Sequence, residues 1–402
     1  MNKKTLVMLG LNSGTSADGL DMTAVRISRI KRQPVITYLA SSARPFPWKL
    51  QEMILSVADS EKVDLDTVVH LDNLLGQFFG LAASVYIKRL AKVHIKVDAV
   101  ATHGQTVRHL PEKKRCGRFC VNGTLQLGSL DHIAAYTGKI TVGNFRQADI
   151  AVGGEGAPIT VGAMNRLFAR PSESRLIVNL GGIANYFYFP AQKAKLLTQA
   201  ADCGPGNSLS DTLSKQLFSK RYDRYGQKAS KGNASTRLLS LLMAEPFFSS
   251  KTASTGREIF GAKMARKMIA HGKEFGLSAE DLLATAIELT AMSIAAKVQT
   301  IANNDKNLSK LYLTGGGRKN TFLVNRLKNH LPGMEIRQGD ELGIDADFIE
   351  AAAYAVMGEA CLRSEPLNTG DNVRKSIACI LGRIVQPPVS IGKRSIKSVK
   401  LR

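Results

Sequence analysis

The run Leu9-Gly-Leu-Asn-Ser-Gly-Thr-Ser-Ala-Asp-Gly-Leu-Asp21 places bare backbone N–H groups, hydroxyls and carboxylates together between two stretches rich in β-branched residues. A phosphate and its magnesium need that combination. Gly14 and Gly19 permit positive φ and close approach, Ser13, Thr15 and Ser16 can donate to phosphate oxygens, and Asp18 or Asp21 could hold a hydrated Mg²⁺. The candidate phosphate contacts are therefore Gly14, Thr15, Ser16, Ala17, Asp18, Gly19, Leu20 and Asp21. Residues 5–11 read as a buried strand and 23–27 as its return, so the loop is a hairpin turn and not the strand-to-helix turn of a Walker loop. Taken alone, the same composition also makes an ordinary polar hairpin.

A second hairpin repeats the design. The apolar run Leu176-Ile-Val-Asn-Leu180 enters Gly181-Gly182-Ile183-Ala184-Asn185 and leaves as Tyr186-Phe-Tyr-Phe189. One such hairpin per half is the plan of a two-lobed ATP clamp. A third glycine turn, Leu313-Thr-Gly-Gly-Gly-Arg-Lys-Asn320, ends a strand at 310–313 and leads into a helix over about 321–331. Its expected use is to lie against a nucleotide base or ribose.

Further motifs appear in order: Thr102-His-Gly-Gln-Thr-Val-Arg-His-Leu-Pro111, Thr124-Leu-Gln-Leu-Gly128, Val142-Gly-Asn-Phe-Arg-Gln-Ala-Asp-Ile-Ala151, Gly153-Gly-Glu-Gly-Ala-Pro158, Asp202-Cys-Gly-Pro-Gly-Asn207, Ser254-Thr-Gly-Arg-Glu258 and Asp347-Phe-Ile-Glu-Ala351. With the glycine turns, they make the chain resemble the anhydro-N-acetylmuramic acid kinase family of the sugar kinase/Hsp70/actin superfamily, over about residues 6–382. Three positions depart from the family pattern: Glu155 replaces a usual Gln, Ile159-Thr-Val-Gly-Ala163 replaces Leu-Val-Pro-Ala-Phe, and Cys203 replaces a common Thr.

The resemblance implies an α/β, two-lobed actin-like ATPase (ribonuclease H-like) fold, each lobe a mixed sheet flanked by helices. It implies ATP and Mg²⁺ as cofactors, an anhydro sugar as substrate and water as co-substrate. In such an enzyme water attacks the anomeric carbon of a 1,6-anhydro sugar while the freed O6 takes the γ-phosphoryl group, in cell-wall recycling. Family likeness makes Asp149 the general base. Phosphate contacts extend to Gly181, Gly182, Asn185, Gly204, Gly206, Asn207, Gly315, Gly316, Gly317 and Asn320. Sugar contacts fall on His103, Gln105, Thr106, Gln126, Asn144, Arg146 and Glu350, with Gln105 and Thr106 the direct ones, and the metal falls to Asp18 and Asp202. From residue type alone Asp149 could equally be a cap, His103 and His109 satisfied core histidines, and Glu350 a solvated charge. Another 1,6-anhydro sugar such as levoglucosan, or a nonenzymatic ATP-binding switch, stays open as an alternative. The resemblance is compatible with a homodimer.

Composition fits this plan. The 402 residues suit two lobes that each bury a substantial core. There is no long uncharged apolar run and no secretory signal, so no membrane span is expected. Five cysteines at irregular spacing suggest reduced thiols in a cytoplasm; Cys116 and Cys120 lack the second pair that would complete a metal site. The net charge of +22 is dispersed over several helices, a turn at 113–118 and the C-terminal end, without interleaved aromatics. That pattern argues for solvated surface and against nucleic acid.

Strands and helices alternate along the chain. Residues 68–93 and 281–303 read as long helices, and the short strand 97–101 delivers His103 to Thr106 at its end, where open α/β sheets place ligand groups. The expected lobes are 1–138 with 346–385, and 139–345, followed by a basic, mobile tail at 386–402.

Overall fold

The computed structural model describes residues 3–31, 33–60, 62–249, 257–369 and 378–389. The motif at 254–258 lies outside the described residues except for the backbone of its last two, and the basic tail lies outside them from 390 onward.

Fourteen strands appear in chain order: β1 (Leu6–Ser13), β2 (Gly19–Ile30), β3 (Gln33–Pro45), β4 (Ala99–Cys116), β5 (Phe119–Leu127), β6 (Ile140–Gly143), β7 (Arg175–Leu180), β8 (Ala184–Phe189), β9 (Gln199–Gly204), β10 (Lys310–Thr314), β11 (Glu335–Gln338), β12 (Leu367–Asn368), β13 (Ala378–Cys379) and β14 (Arg383–Val385). The chain divides into two compact units. One takes the residues up to Leu167 and the described residues from Phe348 on, and the other is Phe168–Asp347.

The first unit holds a sheet in the order β14-β6-β4-β1-β2-β3, with β5 paired to β4. Within it β1 runs antiparallel to β2 and parallel to β4, and β4 runs parallel to β6. The second unit repeats the arrangement as β11-β10-β7-β8-β9, with β7 antiparallel to β8 and parallel to β10. Each sheet is thus a three-stranded meander whose first strand takes parallel neighbours on its other side. That is the ribonuclease H-like order, present twice, with helices flanking each sheet.

Residues 139–167, expected in the second lobe, pack with the first. The cause is strand pairing: β6 aligns Thr141 with Val100 of β4 and Val142 with Ile384 of β14, so the chain cannot leave this sheet at residue 138. The strand expected to end at 101 runs on to Cys116, because β5 pairs with its far half and supplies the missing ladder. His103 to Thr106 therefore lie inside a strand and not at its tip.

The helix Leu65–Lys92 is long and apolar enough to cross a membrane by length and composition alone. Its Leu71, Leu75, Phe78, Phe79 and Tyr86 are buried in the first unit's core beside Leu9, Leu11 and Val100. The helix Ile349–Leu362 is buried along almost its whole length, and its small residues allow backbone to approach backbone. A Cβ on Gly10 of β1 would stand 1.8 Å from the Ala351 carbonyl oxygen, so glycine is required there. In the second unit the helix Ala279–Asn304 starts from a capping box of Ser278 and Asp281 and buries Leu283, Ile287 and Ile294 against the sheet.

Candidate active site

The first hairpin is tighter than its sequence suggests. Since β1 runs to Ser13 and β2 begins at Gly19, the turn is residues 14–18, and Asp21 pairs with Asn12 inside the ladder. Ala17 closes the turn by donating its N–H to the Gly14 carbonyl at 3.0 Å, in a left-handed conformation. The side chains of Ala17 and Leu20 are fully buried, which leaves only their backbone for a ligand. Thr15, Ser16 and Asp18 are exposed.

Ser13 and Gln105 fasten this turn from beneath. The Ser13 hydroxyl lies 2.5 Å from the Gln105 side-chain oxygen and 3.0 Å from the Gly19 carbonyl, and the Gln105 amide donates to the Gly14 carbonyl at 3.2 Å. Gln105 is buried at 1% exposure, and its side chain supports the hairpin. Thr106 and Gln126 bond to each other at 3.3 Å, and Gln126 also donates to Thr124.

A second cluster joins His103, Arg146, Glu350 and Tyr354. Asn144 turns the chain in a left-handed conformation, which asparagine tolerates, and aims the next residues into the cluster. Arg146 Nε donates to His103 Nε2 at 3.0 Å, and Nη1 donates to the Gly156 carbonyl at 2.9 Å. The His103 ring stacks on Tyr354 with centroids 4.7 Å apart, and Phe145 stacks on the same tyrosine. Burial, aided by the Arg146 charge, holds His103 well below its ordinary pKa, so the ring is neutral and accepts at Nε2. Glu350 keeps solvent-accessible surface, yet its carboxyl end is ringed by protein. Poor solvation raises its proton affinity, opposed by the Asn12 amide, which donates to it at 2.9 Å, and by Arg146.

Asp149 lies in a closed place in the first unit. It is buried at 5% exposure on the short helix Phe145–Ala151. Its Oδ2 accepts the Gly156 N–H at 2.7 Å, and its Oδ1 accepts the Thr369 hydroxyl. The glycine turn at 153–156 is wrapped so closely that a Cβ on Gly154 would lie 2.2 Å from Oδ2. Each carboxylate oxygen thus accepts one hydrogen bond from the fold. Glu155, half-buried in that turn, forms no ion pair with Arg146, whose fork goes to His103 and Gly156.

Three glycine turns converge in the second unit. Asn207 and Ser208 donate their N–H groups to the Gly181 and Gly182 carbonyls, both at 2.9 Å, and the Asn207 amide reaches the Leu180 carbonyl. A Cβ on Gly206 would stand 2.6 Å from the Gly181 carbonyl oxygen, and one on Gly317 2.7 Å from Asn207 Oδ1. Gly315 approaches Asn179 equally closely, and Gly204 abuts Ser293. The result is a cradle of bare backbone at the ends of β7, β9 and β10, which fits an anionic phosphate chain. Gly316 faces open space at its rim. Asn185 pairs with the half-buried Asp202 across β8 and β9, two residues before β9 ends at Gly204. Asn320 instead caps the helix Thr321–His330 by accepting the Leu323 N–H at 3.1 Å.

Among the described residues no cluster of three or more His, Cys, Asp or Glu side chains could hold a metal. Asp18 and Asp202 belong to different units. A magnesium carried mainly by phosphate and water needs no such cluster, and an exposed Asp18 beside two hydroxyls suits it.

Sequence reasoning missed Asn12, Tyr354 and Thr369. Tyr354 follows Glu350 by four residues on one helix, a spacing that places both on one face. For Thr369 no local pattern points to its partner.

A sequence profile of the family described as "Anhydro-N-acetylmuramic acid kinase" matches residues 6–387. A relative from Coxiella burnetii (strain RSA 493 / Nine Mile phase I) bearing that name is 34% identical over 94% of this chain and 96% of its own length. Another from Trichormus variabilis is 37% identical over 87% of this chain and 89% of its own. Among solved structures, the activator of 2-hydroxyisocaproyl-CoA dehydratase from Clostridium difficile with bound ADPNP aligns over 87% of this chain and 93% of its own, at 13% identity and a TM-score of 0.40. The fold assignment rests on the repeated strand order. By the extent of the profile match and the identity of these relatives, the chain belongs to the anhydro-N-acetylmuramic acid kinase family and is a kinase.

Proposed function

We propose that the protein opens 1,6-anhydro-N-acetylmuramic acid with water and phosphorylates its O6 from ATP, giving N-acetylmuramic acid 6-phosphate and ADP. The observation that carries this reading is the bare-backbone cradle formed by Gly181, Gly206 and Gly317, with Asp202 on β9, the strand that leads into it. MgATP, when bound, would supply an electrophilic γ-phosphoryl group, and Asp18 is the residue that would hold the magnesium.

In the anhydro sugar one oxygen bridges C1 and C6, so the carbon attacked by water and the oxygen that takes phosphate are neighbours. The group that activates water must therefore stand with the phosphate-binding turns. We assign that role to Asp202, which β9 carries two residues before Gly204, whereas both Asp149 oxygens accept hydrogen bonds from the fold. Asp202 accepts a proton from water as the water oxygen bonds to C1. The C1–O6 bond breaks, and O6 takes the phosphoryl group in place of a proton from a general acid. Glu350 accepts a sugar hydroxyl, and Arg146 and His103 position the ring's substituents.

The product is one that a cell recycling its wall polymer would use, and five free cysteines fit a reducing cytoplasm. The test measures ADP release with the acidic anhydro sugar, levoglucosan and no sugar, and the product is analysed after reaction in ¹⁸O-water. Sugar-dependent release with label at the anomeric oxygen is expected. Release that ignores sugar, or product without label, overturns the reading.

A further inference from the structure

We infer that Thr369 is a positioning residue for sugar binding, acting through Asp149 and the glycine turn to fix the Arg146 guanidinium. This rests on the reading above, in which Arg146 faces the sugar.

The links are all within the first unit. The Thr369 hydroxyl donates to Asp149 Oδ1, and both side chains are buried. The other oxygen of Asp149 accepts the Gly156 N–H at 2.7 Å. The carbonyl of the same Gly156 accepts from Arg146 Nη1 at 2.9 Å. Gly156 holds a positive φ of 76°, a conformation that needs fixing from outside because its backbone has few intrinsic restraints. Arg146 in turn meets neutral His103 and makes no ion pair with a carboxylate among the described residues. Hydrogen bonds from its fork are therefore what orients it. A guanidinium held by one backbone carbonyl, one imidazole and the Tyr354 hydroxyl tracks any movement of that carbonyl. The carbonyl is held by Asp149, and Asp149 by Thr369.

Thr369 comes from the segment after β12, where the neighbouring Asn368 backbone packs within 2.9 Å of a Cβ built on Gly162. The hydroxyl thus follows directly on the packed end of β12, and Thr369 itself is buried. Loss of that hydroxyl leaves one buried carboxylate oxygen unpaired and lets Asp149 turn, which loosens Gly156 and the arginine beyond it.

The test is a double-mutant cycle between Thr369→Val and Arg146→Lys, read by sugar binding in calorimetry and by KM for sugar and for ATP. Thr369→Val is expected to weaken sugar binding about tenfold, with KM for ATP unchanged within about twofold. Thr369→Ser, which keeps the hydroxyl, is expected to restore sugar affinity. In the Arg146→Lys background, where the fork is already lost, Thr369→Val should cost little more. Additive losses, an equal rise in both KM values, or unaltered sugar affinity in Thr369→Val would overturn the inference. Should Thr369→Val not fold, Thr369→Ala, which also lacks the hydroxyl, replaces it in the same cycle with the same expectations. A wild-type enzyme that turns over while the cycle is additive refutes the positioning role alone. If the wild type neither binds the sugar nor releases ADP with it, the functional reading falls and takes this role with it.

Discussion

Substituting asparagine at Asp149 and at Asp202 in parallel separates a carboxylate that holds the fold from one that moves a proton. At Asp149 the amide oxygen can still accept the Gly156 N–H, and the amide NH₂ can donate to a reversed Thr369 hydroxyl, so both bonds survive without charge. A bond to a charged group contributes about 1.5–3 kcal/mol and a neutral one about 0.5–1.5 kcal/mol, so two downgraded bonds cost roughly 2 kcal/mol. Asp149→Ala would leave the Gly156 N–H without its acceptor in a buried place, at roughly 1–3 kcal/mol. Denaturant titration followed by the first unit's signal measures this loss. Turnover of Asp149→Asn should fall chiefly through KM for sugar. Asp202→Asn should unfold at nearly the wild-type denaturant concentration yet lose about 10²- to 10⁴-fold in kcat, because the amide cannot take the proton of the attacking water. The opposite pattern would refute the assignment: an Asp149→Asn protein of wild-type stability with kcat down a hundredfold at unchanged KM, and an active Asp202→Asn.

Gly206→Ala should weaken ATP binding and destabilise the second unit, since its Cβ would stand 2.6 Å from the Gly181 carbonyl oxygen at a φ of 51°; normal nucleotide affinity would show that the cradle is not the phosphate site. His103 has a folded pKa lowered below its ordinary value of 6.5, so the stability it contributes is complete above that pH and is lost as pH falls below it, by up to about 1.4 kcal/mol per pH unit. Unfolding free energies between pH 7.5 and about 5.5 should therefore drop more steeply for the wild type than for His103→Gln, and parallel curves would contradict a buried neutral imidazole. Glu155→Gln should leave turnover within about threefold, because Glu155 is not tied to Arg146 and the turn is held by Asp149; a gain above tenfold would mean that the carboxylate opposes phosphate charge.

The glycine turns and the strands that carry them were legible from the chain alone because both signals are local. A β-branched run with a glycine-rich break codes a hairpin, and positions such as Gly206 and Gly315 declare by residue type that backbone must pass close by. The two-unit architecture followed from the repetition of that pattern, although strand pairing by β6 and β14 moved the division from 138 to 167. Side-chain roles were a different matter. The chain alone did not show that Asp149 accepts a hydrogen bond from Thr369, 220 positions away. Nor did it show that the Gln105 side-chain oxygen meets Ser13, 92 positions earlier. Asn12 and Glu350, 338 positions apart, meet only because the buried helix Ile349–Leu362 lies across β1. Residue type states which bonds a group can make. Which of those bonds are already made depends on neighbours that only the packed chain brings within 3 Å, and there a carboxylate is divided between structure and chemistry.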